Sequence, residues 1–165
     1  MYDLDSLRTS TRRLRKLRDF LPTAPSYLHH RWFLCGTPSC ALGWSTTLFP
    51  KSVLSATLEG DWPTWRAEGT DCESHGLDAA AIVFRLTEPV ASYIFDNCVI
   101  DTKGREVLSR YRDNSLATTL RRLDLILSFL QRRLAALEAE EQRRMARIQA
   151  RRLRRNNLKP QAVSA

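Results

Sequence analysis

Four residues of this chain have the types and spacing of a metal site. Cys35 and Cys40 lie close together in sequence, and Cys72 and His75 form a Cys-x-x-His pair further on. Structural zinc takes thiolate and imidazole ligands in short-spaced pairs, and it stabilises small domains that have little regular structure. The competing interpretation, which we favour, is that Cys40 packs as a small buried thiol inside a helix that starts at Pro38. No metal or other cofactor is therefore expected.

Nucleophilic chemistry at a cysteine is the second candidate activity. Cys40 is expected close to a helix start, where the helix dipole lowers the pKa of a thiol. The available bases are His29, His30 and His75, but no spacing pairs any of them with the thiol. The chain also lacks the P-loop, the dinucleotide-binding glycine pattern, H-E-x-x-H and G-x-S-x-G. We therefore expect a protein that is not an enzyme.

The C-terminal region has a composition suited to contact with phosphate. After Gln142 the chain carries no acidic residue, and a helix here would have arginines around much of its circumference. Arginine and lysine neutralise phosphates without reading base sequence, so the expected partner is nucleic acid, with an acidic protein surface as the alternative. The residues assigned to this contact are Arg143, Arg144, Arg147, Arg151, Arg152, Arg154, Arg155 and Lys159.

Leucines recur immediately before these arginines at alternating spacings of four and three. This heptad pattern is typical of a helix that packs along another helix, so it predicts self-association or entry into a helical bundle with another protein. Leu125, Ile126 and Phe129 widen the apolar stripe, which leaves packing against the N-terminal part of the same chain as an open alternative. The leucines assigned to oligomerisation are Leu116, Leu120, Leu123, Leu127, Leu130, Leu134 and Leu137.

Charge is unevenly distributed along the 165 residues, whose net charge is +8. Residues 1–25 hold six basic and three acidic side chains, and residues 115–165 hold twelve basic and four acidic ones. The basic ends favour local contact with phosphate, an acidic protein patch or an anionic membrane face, although a plainly solvated helix face explains the N-terminal run equally well. No apolar run reaches the roughly 20 residues of a membrane span, and the acidic start is unlike a signal peptide, so an intracellular protein is expected.

Periodicity and capping residues predict the elements that position these side chains. Helices are expected over residues 4–21, 38–50, 78–84, 87–95 and 115–155, with an irregular segment over 51–75 and a polar connection over 98–114. The four tryptophans, Trp32, Trp44, Trp62 and Trp65, are expected in the core rather than on a ligand-stacking surface. The predicted fold class is mainly α, with a compact helical domain over 1–114 and a long amphipathic, partly coiled-coil-like helix with an arginine-rich tail over 115–165.

The stretch over residues 35–47 reads C-G-T-P-S-C-A-L-G-W-S-T-T. Its C-G-T-x-x-C-A-x-G-W-x-T-T pattern resembles that of a family of small bacterial and phage proteins. In that family a leading helix similar to residues 14–21 and a tryptophan like Trp32 come before the motif, and a helical pair similar to residues 78–95 follows it. The resemblance covers residues 12–97 and implies a bacterial or phage origin without implying an activity. The long basic helix lies outside it.

The expected function is binding. We expect a phage or bacterial protein that assembles through its C-terminal helix and contacts an anionic partner, most plausibly nucleic acid. One alternative is a structural or assembly component of a phage particle that docks on other proteins, and another is an inhibitor of a host defence or regulatory protein. The corresponding location is the bacterial host cytoplasm or the phage particle.

Overall fold

A computed structural model describes residues 3–28, 33–34, 37–59, 62–70, 75–95, 98–100, 106–108 and 115–157. The fold is mainly helical, as predicted. The helices are α1 (Leu4–Phe20), α2 (Ala41–Leu48), α3 (Gly76–Phe84), α4 (Glu88–Phe95) and α5 (Leu116–Asn157), and a short 3₁₀ turn (Leu21–Thr23) follows α1. Within the described residues, no helix is long and apolar enough to cross a membrane.

Within the part of the chain that the structure describes, the strands form three short antiparallel hairpins. They pair β1 (Phe33–Leu34) with β2 (Thr37–Pro38), β3 (Leu54–Glu59) with β4 (Trp62–Ala67), and β5 (Cys98–Ile100) with β6 (Glu106–Leu108). The predicted irregular segment over 51–75 is therefore wrong, because its centre is the β3–β4 hairpin. Leu54 pairs with Ala67, and both are buried with Trp65. The side chains along β4 therefore alternate between a buried, apolar face and an exposed face. Pro63 masks this pattern, but a two-stranded sheet tolerates a proline because each strand has a free edge.

Helix α2 starts three residues later than the sequence predicted. Thr37 and Pro38 belong to β2, and Cys40 is the N-cap residue, whose Sγ accepts a hydrogen bond from the Gly43 N–H at 3.4 Å. The expectation that Cys40 lies inside a helix begun at Pro38 is therefore wrong in detail. The Thr-Pro pair has the features of a helix start, but here its backbone hydrogen bonds go to β1 instead of to α2.

Helix α1 is the centre of the core. The Asp3 carboxylate caps its first turn by accepting the Ser6 N–H at 2.7 Å, and this bond lowers the pKa of Asp3. Four leucines at helical spacing are fully enclosed: Leu7, Leu14, Leu17 and, in the following turn, Leu21. They fall on one stripe of the helix, which is what the periodicity of residues 4–21 predicted.

The first half of α5 packs along α1 in the same core. Leu123, Leu127 and Leu130 are buried there, and the Arg122 guanidinium lies 5.6 Å from the ring centre of Tyr93 on α4. Two ion pairs fix the direction of packing, since Arg18 contacts Asp124 and Arg8 contacts Glu138. The two helices are therefore antiparallel, and the long helix begins inside the domain before it leaves it.

Candidate nucleic-acid interface

The distal half of α5 extends beyond the domain. Leu137 is still half-buried against the core and Glu138 is held by Arg8, but from residue 139 the described side chains are exposed, apart from a half-buried Ile148. The segment from 139 to the helix end at Asn157 is about 28 Å long at 1.5 Å per residue. Most side chains therefore become exposed close to the point where the leucine pattern stops, although Asp3 and Leu4 still line a shallow pocket with Arg143 and Arg147.

The described arginine side chains of this segment are exposed and form no ion pair with another described residue. They are Arg143, Arg144, Arg147, Arg151, Arg152 and Arg154. By contrast, three arginines of α1 have carboxylate partners, namely Arg8, Arg13 and Arg18. Arg155 lies within α5, and Lys159 lies outside the described residues. The charge of the distal helix is therefore not used to hold the fold together.

The helical register places these arginines on one side. Successive residues of an α-helix are about 100° apart, so Arg143, Arg147 and Arg154 fall within about 40° of one another, and Arg144 and Arg151 fall within about 100° of Arg143. Arg155 lies at about 120° from Arg143 and Arg152 at about 180°. The arginines are therefore more one-sided than the sequence analysis predicted. That prediction counted the arginines but did not calculate their angular positions around the helix. Most of the arginines can face a single surface at the same time.

Beside Arg152, on the side away from Arg143, Arg147 and Arg154, the distal helix has a strip of uncharged side chains. These residues are Met145, Gln149, Leu153 and Ala146, at about 200° to 300° from Arg143. Met145 and Leu153 are the large apolar side chains among them, and they are 59% and 58% exposed. The distal helix therefore has two faces of different chemistry, a basic face and an uncharged face.

The seven leucines of the predicted heptad pattern pack against the domain of the same chain. Leu123, Leu127 and Leu130 are buried in the domain core, and the remaining four are half-buried against it, namely Leu116, Leu120, Leu134 and Leu137. This arrangement matches the alternative in which the stripe packs on its own N-terminal part. Self-association through these leucines stays a prediction. The large apolar side chains of proximal α5 that are exposed to solvent are Leu125 and Phe129.

The structure places only part of the candidate zinc site. Cys40 is buried and His75 is exposed as the N-cap residue of α3, whereas Cys35 and Cys72 lie outside the described residues. Among the described residues, no cluster of three or more Cys, His, Asp or Glu side chains is arranged to hold a metal.

Cys40 does not have the surroundings of a nucleophile. Burial raises the pKa of its thiol, and the opposing hydrogen bonds from the Gly43 and Leu42 N–H groups are weaker influences. This direction is opposite to the lowering expected from the helix dipole, because the side chain is enclosed at the helix start rather than exposed there. His29 and His30 lie outside the described residues.

Two of the four tryptophans are core residues, as predicted. Trp65 is enclosed, and Trp44 packs against Phe20 with ring centres 5.6 Å apart while its indole N–H donates to the Ser26 carbonyl at 2.8 Å. Trp32 and the side chain of Trp62 lie outside the described part of the chain. Trp44 and Trp65 therefore stabilise the domain and are not available as a stacking surface.

Sequence reasoning missed a second basic surface, in the groove between α1 and α5. Thr11, Arg12 and Arg15 line it from α1, and Gln131 and Glu138 line it from α5. The only signal in the sequence was the basic run of α1, which equally fits a solvated face. The groove depends on the antiparallel packing of two segments more than 100 residues apart, which periodicity does not reveal.

Comparison with protein-family models, with curated proteins and with solved structures finds no match for this chain. A function is therefore inferred from its own residues and their arrangement.

Proposed function

We propose that this protein is a non-enzymatic binding protein whose projecting helix contacts the phosphates of nucleic acid. The observation that carries the proposal is the one-sided group of exposed arginines on distal α5, none of which has an ion-pair partner among the described residues. Because these guanidinium groups form no ion pair within the described part of the chain, they can bind an external anion without breaking one. Arginine also suits phosphate, because its planar fork donates two parallel hydrogen bonds.

Such binding should be indifferent to base sequence. Phosphate contacts position a protein on nucleic acid without carrying sequence information, and the affinity falls with salt because condensed counterions are released. If five phosphates are neutralised on duplex DNA, the slope of log affinity against log salt is about −4.5. A bacterial or phage origin, implied by the resemblance over residues 12–97, is compatible with this role.

The proposal is tested by fluorescence anisotropy on two unrelated duplexes and one RNA hairpin across a salt series. The full chain should bind both duplexes with similar affinity and a steep negative slope. A variant with Arg143, Arg144, Arg147, Arg151 and Arg154 changed to Gln should lose most of the affinity. Arg121→Gln/Arg132→Gln/Arg133→Gln is the control, because it removes exposed arginines from the proximal part of the same helix. Equal, salt-insensitive binding by all three proteins would exclude a role for the distal arginines.

The uncharged face of distal α5 favours a second candidate function. Met145 and Leu153 are apolar, exposed and aligned on the side away from most of the arginines. A structural or assembly component of a phage particle would use this face to pack against a neighbouring subunit, while the arginines meet acidic protein surfaces. Mass spectrometry of purified particles separates the two functions: stoichiometric protein in the particle favours the structural role, and protein found only in infected cytoplasm favours nucleic-acid binding.

A further inference from the structure

A second basic surface lies in the groove between α1 and α5, apart from the arginines of the distal helix. The groove is open to solvent and has a volume of about 500 Å³. Its basic residues come from α1 alone: Arg8, Arg12, Arg15 and Lys16. Its acidic residues are Asp19 and Glu138, and Glu138 is already paired with Arg8 at 2.9 Å. The groove therefore has an excess of positive charge that the chain does not neutralise.

Arg12 and Arg15 are the two cations of this groove that the fold does not use. Both are exposed, and neither forms an ion pair with another described residue. Lys16 is engaged, because its ammonium donates to the Leu48 carbonyl at 2.8 Å and lies 5.5 Å from the ring centre of Phe49. Two guanidinium groups separated by three positions on one helix can bind the same small anion.

Thr11 provides an independent indication of a ligand. It lines the groove, it is only 6% exposed, and its hydroxyl has no hydrogen-bond partner among the described residues. The neighbouring Ser10, also buried in α1, donates to the carbonyls of Ser6 and Arg85. A buried hydroxyl without a partner lowers stability, and native structures contain few of them, so each calls for an explanation.

We infer that the α1–α5 groove binds a phosphate group. Arg12 and Arg15 donate to its oxygens from the rim, and Thr11 donates from the floor. A threonine in a helix has two accessible χ1 rotamers, so its hydroxyl can turn towards the groove without a change of backbone. The ligand satisfies the hydroxyl that the free protein leaves without a partner. Phosphate of two origins has this chemistry, a free phosphate compound and the backbone of nucleic acid.

The test uses the full chain and two probes, inorganic pyrophosphate and a short duplex, with amide chemical shifts of Thr11 and the side-chain amide of Gln131 as the readout. We expect pyrophosphate, the duplex or both to shift these signals. Arg12→Gln/Arg15→Gln should weaken that binding about tenfold or more, since each lost bond is to a charged group. Arg66→Gln, an exposed arginine of β4 outside the groove, should leave it unchanged.

Substitutions of Thr11 separate ligand binding from packing. Thr11→Val keeps the shape and removes the hydroxyl, so it should raise the melting temperature of the free protein and weaken binding. Thr11→Ser keeps the hydroxyl and should retain binding. If Thr11→Val raises stability and binds both probes as tightly as the original chain, the hydroxyl has no ligand role and the inference is overturned.

The pattern of probes identifies the source of the phosphate. Shifts with pyrophosphate alone assign a free phosphate compound, and shifts with the duplex assign the backbone. No shift with either probe overturns the inference. That failure would leave the proposed function intact, because the function is tested by the distal arginine variants, which do not alter the groove.

Discussion

Arg8 and Glu138 form an ion pair, with 2.9 Å between Nη2 and Oε1, at the last turn where α5 contacts the domain. The carboxylate raises the pKa of the Arg8 guanidinium, chiefly through this hydrogen bond. Both side chains are substantially exposed, so the pair orients the helices more than it stabilises them. Beyond it, no described charged side chain of α5 forms an ion pair with the domain. The pair therefore separates the arginines of α1 that form ion pairs within the domain from the arginines of distal α5 that form none among the described residues.

Stability should depend on the buried side of proximal α5 and not on its exposed side. Leu130 is buried in the core, whereas Leu125 is 53% exposed. Leu130→Ala should lower the free energy of unfolding by about 2–5 kcal/mol through lost burial and a cavity. Leu125→Ala should change it by no more than about 0.5 kcal/mol, as is usual for exposed positions. Urea denaturation followed by circular dichroism measures both.

The same position tests the predicted self-association. Because Leu130 is enclosed by its own domain, Leu130→Asp should unfold that domain by burying an unpaired charge, while Leu125→Asp should leave it folded. Light scattering and circular dichroism are recorded together. A folded Leu130→Asp monomer derived from an oligomeric parent would show instead that the heptad leucines form an interface between chains.

The elements that sequence reasoning identified are those with long patterns and clear ends. α1 has four leucines on one stripe, a capping Asp3 and a terminating Pro22, and α5 repeats its leucines over three heptads. The start of α2 and the β3–β4 hairpin were missed because Thr37-Pro38 and Pro63 are locally ambiguous, and pairing with another strand decides their conformation. Local sequence carries no information about that partner.

The sequence predicts part of the candidate nucleic-acid interface. The run of arginines after Gln142 is visible in sequence, and so is the end of the leucine pattern that leaves this segment uncovered. Its one-sidedness required the register of a continuous helix. The groove containing Thr11 forms only when α1 and α5 pack in antiparallel orientation, so no local pattern singles out that residue.

Glu68 should make the domain sensitive to acid. Its carboxylate accepts from Arg13 at 2.6 and 2.8 Å, and the same guanidinium donates to the Val83 carbonyl, so the contact joins α1, α3 and the turn after β4. Hydrogen bonding to Arg13 lowers the pKa of Glu68 below its ordinary value of 4.5. A lowered folded-state pKa stabilises the protein above the unfolded-state pKa, and that contribution is lost as the pH falls through the folded-state value.

The measurement is thermal unfolding of the original chain and of Glu68→Gln between neutral pH and about pH 3, a window set by the ordinary pKa of Glu. At neutral pH the variant should be less stable. The difference should shrink as the pH falls below 4.5, since protonation removes the same charge from the original chain. Glu88→Gln, an exposed carboxylate at the start of α4, is the control. A difference that stays constant with pH would mean that the Arg13 contact does not depend on the charge of Glu68.

The one-sided basic face predicts unequal roles for two arginines of the same helix. Arg147 lies in the sector shared with Arg143 and Arg154, whereas Arg152 lies at about 180° from Arg143. If distal α5 lies along a duplex with its basic face towards the phosphates, Arg147→Gln removes one phosphate contact and should make the salt slope less negative by about 0.9. Arg152→Gln removes the same charge from the far side, so its slope should stay close to that of the original chain. Both variants keep the helix, because glutamine has a helix propensity similar to that of arginine. Equal changes for the two substitutions would show that nucleic acid surrounds the helix or senses only its total charge, and would remove the one-sided contact from the proposal.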